Sequence, residues 1–220
     1  MTSLVAAFLD LDGCLVDSRA AISRCLNIGL QAVGATPRPP KRLHRLIGPP
    51  LHESFVTLLA EEDLAAQLAP RCIAAYRDAY REVSLTDTVT IPGVEDAVAR
   101  LDGQLRLAVV TAKPAAFAAP ILERVGLREA FAAVHAPDLT ARAESKAITL
   151  ARALQDVADG VDPARTVMVG DRHHDVDAGR ACRTRTVGVT WGIGEVAELR
   201  HADRLVDAPA ELVDHLLPGG

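Results

Sequence analysis

Aromatic residues are scarce in this sequence, at 3% of its 220 positions. Alanine, valine and leucine must therefore supply most of the packing, and a hydrophobic content of 49% is enough to build a core. No apolar run approaches the ~18 residues that a membrane-spanning helix needs, so we expect no membrane partner. Residues 2–5 carry no basic group, which is not typical of a signal peptide.

An excess of one charge is also missing, because the net charge is only −5 and like charges do not form runs. Nucleic acid usually requires a basic face, so it is not an expected partner. A negatively charged ligand would instead have to bind in a local positive pocket inside an acidic protein.

Closely spaced cysteines are absent as well. The four cysteines are scattered and form no C-x-x-C pair: Cys14, Cys25, Cys72 and Cys182. This spacing disfavours both a disulfide framework and a zinc site. We interpret the four as reduced thiols with structural roles and expect a cytoplasmic protein.

Apolar runs and helical periodicity indicate the order of the elements. Residues 4–9 form a short apolar run that ends in acidic residues, which predicts a buried parallel strand. Residues 17–84 show no strand pattern, and their spacing predicts helices at 18–33, 43–47, 51–60 and 61–83. Strands and helices then alternate, with strands at 105–110, 131–134, 166–169, 186–189 and 205–206, and helices at 92–101, 114–125, 146–158, 176–182 and towards 217.

This alternation predicts an α/β fold, in which a parallel sheet is flanked by crossover helices. The first strand belongs to the sheet but precedes the helical block. The architecture we expect is a Rossmann-like three-layer core with a helical insertion after its first strand. The core would comprise residues 1–16 and 85–220, and the inserted domain residues 17–84.

Two carboxylates follow the first predicted strand. Asp10 and Asp12 are two residues apart, so on an extended segment their side chains point the same way, and Gly13 then ends the pattern. Like charges at this distance require a cation or a proton. Carboxylates suit a hard divalent ion such as Mg²⁺, and a carboxylate can also attack phosphorus. The alternative interpretation is an acidic turn that only ends a strand.

A second acidic pair follows the strand predicted at 166–169. Asp171 stands at its end, and Asp175 lies one helical turn further on, so both side chains can point at one site. The carboxyl ends of parallel strands share one edge of the sheet, so this pair is expected close to Asp10. For Asp175, an N-cap that stabilises the helix is the open alternative.

Thr111 and Lys146 are two further candidates for binding an anion. Thr111 ends a predicted strand, where its hydroxyl can donate to a phosphate oxygen. Lys146 stands near a helix start, where the helix dipole disfavours a cation, and this suggests a point charge for phosphate. A threonine cap and a solvated lysine remain alternatives.

Two other patterns are weak evidence for a metal or nucleotide site. His173 and His174 are adjacent, and adjacent residues on a helix point about 100° apart, so the pair is a weak candidate for one zinc ion. The Gly192-x-Gly194 pattern beside Trp191 predicts a loop and is too short to indicate a nucleotide site.

The order of these motifs resembles that of the haloacid dehalogenase superfamily. Phe-Leu-Asp10-Leu-Asp12-Gly-Cys-Leu-Val-Asp-Ser resembles its first motif, and Thr111, Lys146 and Gly-Asp171-x-x-x-Asp175 match the other three in order. The phosphoglycolate phosphatase-like branch is the most similar. The stretches that support it are Ile47-Gly-Pro-Pro-Leu-His-Glu-Ser-Phe55, Tyr76-Arg-x-x-Tyr80, Ile91-Pro-Gly-Val94 and Thr111-Ala-Lys-Pro114. The helical block then resembles the small cap domain of that family.

The resemblance implies a mechanism and a cofactor. Asp10 would be the nucleophile and Asp12 the general acid and base. Mg²⁺ would be held by Asp10, the backbone carbonyl of Asp12 and Asp171, with Asp175 binding directly or through water. Thr111 and Lys146 would bind the phosphoryl group. True dehalogenases generally lack the second aspartate of the first motif, so the presence of Asp12 favours phosphoryl transfer.

Four residues are candidates for substrate contacts around this centre: Lys113, and in the cap Arg45, Gly48 and Arg77. Arginines on solvated helix faces, a glycine that only ends a helix and a lysine in solvent are the alternatives. The expected activity is a Mg²⁺-dependent phosphatase acting on a small phosphorylated metabolite similar to phosphoglycolate, as a monomer or homodimer. A 5′-nucleotidase, a sugar-phosphate phosphatase, a mutase of the β-phosphoglucomutase type and a non-catalytic phosphate-binding regulator stay open.

Overall fold

The computed structural model describes residues 3–48, 50–139 and 144–217. Within these ranges the chain forms two compact units. One unit comprises the chain up to Asp17 and from Val89 onward, and the other comprises Ser18–Thr88. Pro49, within the Ile-Gly-Pro-Pro stretch, lies outside the described residues.

The first unit is an α/β core. Its strands are β1 (Ala6–Leu9), β2 (Val16–Asp17), β3 (Val89–Thr90), β4 (Arg106–Val110), β5 (Ala133–His135), β6 (Thr166–Gly170), β7 (Arg185–Val189) and β8 (Arg204–Val206). Its helices are α5 (Val94–Leu101), α6 (Ala115–Arg124), α7 (Lys146–Val157), α8 (His173–Ala181) and α9 (Pro209–Leu216). Short 3₁₀ helices complete the described part of this unit at Arg128–Ala130, Pro163–Arg165 and Val196–Leu199.

The main sheet has six strands in the order β5-β4-β1-β6-β7-β8, and every neighbouring pair is parallel. The predicted α/β fold with a parallel sheet is therefore confirmed. β1 lies at the centre between β4 and β6, and all four of its residues are buried, as its continuous apolar run predicts. This position places the residue after β1 at the middle of the carboxyl edge.

The sequence patterns missed one small element. β2 and β3 form an antiparallel pair in which Val16 faces Thr90 and Asp17 faces Val89. Each strand has two residues, which is too short for an alternating pattern to be visible. The pair joins the two chain segments between which the helical unit is inserted.

The second unit is helical, as the lack of strand patterns predicts. Its helices are α1 (Arg19–Gln31), α2 (Pro40–Leu43), α3 (Leu51–Ala60) and α4 (Ala69–Asp87), with 3₁₀ turns at His44–Leu46 and Ala66–Leu68. α1 packs along α4, and Gly29 makes this close approach possible. A Cβ at Gly29 would lie 2.5 Å from Phe55 Cζ and 2.8 Å from the Cys72 carbonyl oxygen.

Several predicted boundaries were wrong. In place of the helix predicted at 43–47, the structure has α2 (Pro40–Leu43) and a 3₁₀ turn at His44–Leu46, and the helix predicted at 176–182 begins earlier, at His173, and ends at Ala181. The helix predicted at 61–83 begins only at Ala69 and continues to Asp87, because the chain turns at Asp63 (φ 54°) and Pro70 occupies the first turn of the new helix. The strand predicted at 131–134 is shifted to Ala133–His135. Phe131 instead ends a 3₁₀ turn and packs in the core, where its large apolar side chain is 2% exposed.

Candidate active site

The carboxyl edge of the sheet brings together polar residues that are far apart in sequence. Asp10 follows β1, Asp171 follows β6 and Thr111 follows β4, and these three strands are neighbours. Backbone hydrogen bonds continue the ladders past the strand ends, from the Asp10 N–H to the Val169 carbonyl (2.9 Å) and from the Thr111 N–H to the His135 carbonyl (3.0 Å). The sheet therefore fixes the backbone at Asp10 and at Thr111.

Asp10, Asp171 and Asp175 form a buried acidic cluster. One oxygen from each carboxylate lies within 4.8 Å of the others, and all three residues are buried. Burial raises the pKa of Asp171 to about 7, and the neighbouring charges of Asp10 and Asp175 add to this effect. Burial also raises the pKa of Asp10, although Lys146 partly opposes it. Such a cluster is costly unless a cation neutralises it.

Lys146 supplies one positive charge to this cluster. Its Nζ lies 2.8 Å from Asp10 Oδ2 and 2.5 Å from Asp175 Oδ1. Burial alone would lower the pKa of Lys146, but the two carboxylates outweigh it and raise that pKa above its usual range. The side chain is 7% exposed, so the alternative of a solvated lysine is excluded. Lys146 is the first residue of α7, and the ion pairs offset its unfavourable place in the helix dipole.

Asp175 contacts both the start of α8 and the acidic cluster. One oxygen, Oδ1, pairs with Lys146, while Oδ2 accepts the Arg172 N–H at 3.0 Å and so caps α8. Gly170 leaves room for this carboxylate, because a Cβ there would lie 2.1 Å from Asp175 Cγ. The N-cap of α8 is Arg172 and not Asp175, so the N-cap interpretation was wrong in position: Asp175 is the third residue of the helix and completes a capping box from there.

Asp171 is held by a loop that sequence patterns did not assign to the site. Its Oδ2 accepts the N–H groups of Ile193 (2.6 Å) and Gly194 (2.9 Å). A Cβ at Gly192 would lie 2.2 Å from Asp171 Cβ, and one at Gly194 would lie 2.2 Å from the Asp171 carbonyl oxygen. The Gly-x-Gly spacing was the available signal, but it indicates only a close backbone approach and not which residue is approached.

Gly13 completes the space around Asp171. Its φ is +81°, which favours glycine, and a Cβ there would lie 2.2 Å from Asp171 Oδ2. The turn is closed by the Gly13 N–H, which donates to the Val16 carbonyl at 2.8 Å. The absence of a side chain at Gly13 therefore leaves the space that the Asp171 carboxylate occupies.

Asp12, Lys113 and Thr111 form a second polar group at the same edge. Lys113 Nζ lies 3.0 Å from Asp12 Oδ2, and the lysine is buried. The alternative that places Lys113 in solvent is therefore wrong. Thr111 Oγ1 accepts the Lys113 N–H at 3.2 Å. The hydroxyl proton of Thr111 is not used by this bond.

The donor set of the acidic cluster fits a divalent cation. Among the residues that the structure describes, Asp10 Oδ1 and Asp171 Oδ1 are buried without a hydrogen-bond partner. Two orphaned carboxylate oxygens in a buried site are costly, and a hard cation would satisfy both. No histidine or cysteine belongs to a possible metal-binding group in the described ranges. The carboxylate of Asp12 also lies outside the cluster, and its predicted metal contact through the backbone carbonyl stays a prediction.

The family model of haloacid dehalogenase-like hydrolases matches residues 7–189, which include the acidic cluster, Lys146 and the first motif. The chain belongs to this family. It is therefore a haloacid dehalogenase-like hydrolase, and its homologues place it among the phosphoric monoester hydrolases.

Curated relatives of this hydrolase carry several names. A phosphoglycolate phosphatase from Chromobacterium violaceum is 31% identical over 97% of both chains. A tyrosine-protein kinase, PtkA, from Mycobacterium tuberculosis is 32% identical over 94% of this chain and 69% of its own. A 5′-nucleotidase from Pseudomonas aeruginosa is 30% identical over 87% of this chain and 85% of its own. The family is thus clear, whereas the relatives differ in what they act on.

A solved structure confirms the fold of the hydrolase. A haloacid dehalogenase-like family protein from Streptococcus pneumoniae has a TM-score of 0.88 and 25% identity, covering 99% of this chain and 100% of its own. The predicted family resemblance is confirmed by this match and by the family model.

The three predicted cap residues lie in the helical unit of the hydrolase. Arg45 is exposed and pairs with Glu61 at 2.9 Å, in a network that also includes Arg38 and Arg42. Gly48 is exposed with φ 109°, and Arg77 lies half-buried on α4. Their role in substrate binding stays a prediction.

Neither of the two adjacent histidines of the hydrolase belongs to the group of described residues that could hold a metal ion. His173 Nδ1 lies 2.6 Å from Glu198 Oε2, and the His174 ring packs against the His173 ring with centroids 3.8 Å apart. The same Glu198 oxygen accepts Arg172 Nε at 2.9 Å. Burial alone would raise the pKa of Glu198, but its hydrogen bonds with His173 and Arg172 outweigh it and lower that pKa to about 2.

Two absences predicted from composition can be compared with the structure. None of the four cysteines, all of which the structure describes, forms a disulfide, as the scattered spacing predicts. In the ranges described, none of the helices combines the length and apolar character needed to cross a membrane.

Proposed function

We propose that this hydrolase is a Mg²⁺-dependent phosphatase that cleaves a small phosphomonoester, similar to phosphoglycolate, through an aspartyl-phosphate at Asp10. One observation carries the proposal. Asp10 stands at the end of the central strand, pairs with Lys146 through Oδ2 and keeps Oδ1 buried without a partner among the described residues. A carboxylate held in this way is oriented for attack.

In the first step, a carboxylate oxygen of Asp10 forms a bond to phosphorus while the bond from phosphorus to the ester oxygen breaks. Asp12 donates a proton to that leaving oxygen, so the alcohol departs neutral. Lys146, 2.8 Å from Asp10, offsets the repulsion between carboxylate and phosphate. The Thr111 hydroxyl and the Lys113 ammonium would donate hydrogen bonds to the oxygens of the transferred phosphoryl group.

In the second step, water attacks the phosphorus of the aspartyl-phosphate. Asp12 takes one proton from that water, the bond from phosphorus to Asp10 breaks, and inorganic phosphate leaves. Asp12 is then protonated again, as the first step requires. Lys113, 3.0 Å from Asp12, holds the Asp12 side chain in one orientation for both transfers.

Asp10 and Asp171 would hold the metal ion, with Asp175 as a further ligand, because the first two have buried oxygens without partners in the described residues. Mg²⁺ prefers such carboxylate oxygens, and when bound it neutralises charge that develops on the phosphoryl oxygens. Asp175 is already bonded through both oxygens, so it would bind directly only by giving up a present partner.

The substrate class is supported by the Chromobacterium violaceum relative, which is named a phosphoglycolate phosphatase. The Pseudomonas aeruginosa relative favours a nucleoside monophosphate as the second candidate. In either case the helical unit would select the substrate, with Arg45, Gly48 and Arg77 as its candidate contacts. A reducing, cytoplasmic location suits four cysteines that form no disulfide.

Phosphate release tests this proposal directly. The purified chain is incubated with phosphoglycolate, nucleoside monophosphates and sugar phosphates, in Mg²⁺ and in EDTA. Mg²⁺-dependent release with a preference for phosphoglycolate is expected. Asp10→Asn should abolish release, whereas Asp214→Asn, at an exposed ion pair with Arg100, should not change it.

Three results would contradict the proposal. Substantial turnover by a folded Asp10→Asn variant excludes the covalent route. Isomerisation of a sugar phosphate without net phosphate release indicates a mutase, and stable phosphotyrosine formed from ATP indicates a kinase.

A further inference from the structure

Glu198 connects two segments of the core that meet at Asp171. It lies in the 3₁₀ helix Val196–Leu199, which directly follows the loop that carries Ile193 and Gly194. Its Oε2 bonds with Arg172 Nε (2.9 Å) and His173 Nδ1 (2.6 Å), both at the start of α8. These partners are 26 and 25 residues away in sequence. The contact is therefore tertiary and not a local turn.

The loop itself rests on Asp171 through backbone groups. The N–H groups of Ile193 and Gly194 both donate to Asp171 Oδ2, which leaves Oδ1 as the oxygen without a partner in the described structure. The orientation of this carboxylate thus depends on where the loop lies. Gly192 and Gly194 allow the approach but cannot hold the loop there, because they have no side chains.

Two side chains hold the loop, one at each end. Trp191 Nε1 donates to the Cys14 carbonyl at 3.2 Å on one side. On the other side, Glu198 binds Arg172 and also accepts the Glu195 N–H at 3.3 Å through Oε1. Asp171, Arg172, Glu198 and Gly194 thereby form a closed ring of covalent and hydrogen bonds. Loss of Glu198 opens this ring beside the candidate metal ligand.

We propose that Glu198 is a positioning residue that clamps the 191–195 loop onto Arg172 and His173, so that the Ile193 and Gly194 amides orient Asp171 for metal. This inference rests on the proposed function, in which Asp171 binds Mg²⁺. Hydrogen-bond partners of metal ligands typically change metal affinity by about 10- to 100-fold when they are removed.

The first test measures Mg²⁺ binding without substrate. Thermal melting is followed against Mg²⁺ concentration for the wild-type chain and for Glu198→Gln, which keeps the shape but removes the charge. The concentration for half-maximal stabilisation is expected to rise about tenfold in the variant. The turnover number at saturating Mg²⁺ should change by less than about twofold, because Glu198 acts through affinity.

The second test follows the loop in EDTA through Trp191, the single tryptophan of the chain. Its fluorescence should become more accessible to acrylamide in Glu198→Gln, because one of the two anchors of the loop is lost. Glu198→Asp, whose shorter side chain cannot reach the same partners, should show an intermediate effect. It also replaces Glu198→Gln if that variant does not fold.

Glu211→Gln is the matched control. Glu211 accepts the Asp207 N–H (2.9 Å) and pairs with Arg204 (3.1 Å), so it combines a backbone and an arginine contact as Glu198 does. Glu211→Gln should leave both the Mg²⁺ concentration for half-maximal stabilisation and the acrylamide quenching of Trp191 at the wild-type level. Glu195→Gln tests the cap of the 3₁₀ helix separately, and it should have a smaller effect than Glu198→Gln.

Three outcomes would overturn the inference. Wild-type Mg²⁺ affinity in Glu198→Gln excludes a positioning role, as does unchanged quenching of Trp191. An equal effect of Glu195→Gln attributes the change to helix capping alone. If the wild-type chain itself shows no stabilisation by Mg²⁺, the proposed metal function fails first, and the quenching experiment still decides whether Glu198 clamps the loop.

Discussion

Lys146 Nζ lies 2.8 Å from Asp10 Oδ2, although the two residues are far apart in the sequence. The pair joins the residue after the central strand to the first residue of α7. It supplies the buried acidic cluster with a positive charge before any ligand binds.

Replacing Lys146 by methionine should lower both activity and stability. The substitution keeps an unbranched side chain but leaves Asp10 and Asp175 without their ammonium partner. Breaking one side of a buried ion pair typically costs about 3–5 kcal/mol in the free energy of unfolding. Urea unfolding in EDTA measures the loss, and Lys41→Met, at an exposed position of α2, is the control. Equal stability of the two variants would contradict a buried ion pair.

The metal-free protein should become less stable as the pH rises through about 7. The pKa of Asp171 is raised from 3.8 to about 7 in the folded state, so the folded state binds a proton that the unfolded chain has already released. This stabilisation is fully present below pH 3.8 and is lost as the pH passes about 7. The raised pKa of Asp10 acts in the same direction.

Urea unfolding in EDTA at pH 5.5 and pH 8 measures this effect, which for Asp171 is on the order of 2 kcal/mol. Asp171→Asn should reduce the pH dependence, because the amide does not titrate. Mg²⁺ should stabilise the wild-type chain more at pH 8 than at pH 5.5. An unchanged pH dependence in the asparagine variant would show that other groups are responsible.

Gly192→Ala should displace the loop that holds Asp171. Its Cβ would lie 2.2 Å from Asp171 Cβ, and neither backbone can move without loss of the two amide contacts. We expect kcat/KM to fall at least about tenfold. Gly160→Asn is the control, since Gly160 has φ +71°, which asparagine tolerates, and no atom lies within 4 Å of a Cβ there. Full activity of Gly192→Ala would mean that the loop adapts.

Gly29→Ala should destabilise the helical unit. Alanine is the better helix former, but its methyl group would meet Phe55 Cζ at 2.5 Å and the Cys72 carbonyl at 2.8 Å. Overpacking of this kind costs about 1–3 kcal/mol, so the melting temperature should fall. Gln31→Ala, at an exposed position of the same helix, should not lower it. A rise in the melting temperature of both variants would show that helix propensity outweighs the crowding at Gly29.

Much of the core was predictable from local sequence. The run before Asp10 is apolar on both faces, and only a central parallel strand buries both, so β1 follows from the pattern. Because such strands end at one edge, Asp10, Thr111 and Asp171 could be expected together. The boundary of α4 was not predictable, because tertiary packing and the turn at Asp63 decide where a helix begins.

The contacts of Lys113 and Glu198 were not predictable from local patterns either. Lys113 is a single charged residue after a strand, and nothing nearby in sequence indicates that its ammonium lies buried beside Asp12. Glu198 caps a short 3₁₀ helix, which explains its local spacing to Glu195. Its bonds to Arg172 and His173 depend on how β7 and α8 pack.

The sequence by itself determined the class of fold, the order of its elements and the identity of the acidic residues, because hydrophobic periodicity and motif order are local properties. Only the tertiary structure decided which oxygens have partners. Burial removes water from the cluster. The charged groups of Lys146, Asp171 and Asp175 therefore need hydrogen-bond or ion-pair partners from residues that are distant in sequence. Hydrogen bonding at this edge therefore depends on the packing of the whole core.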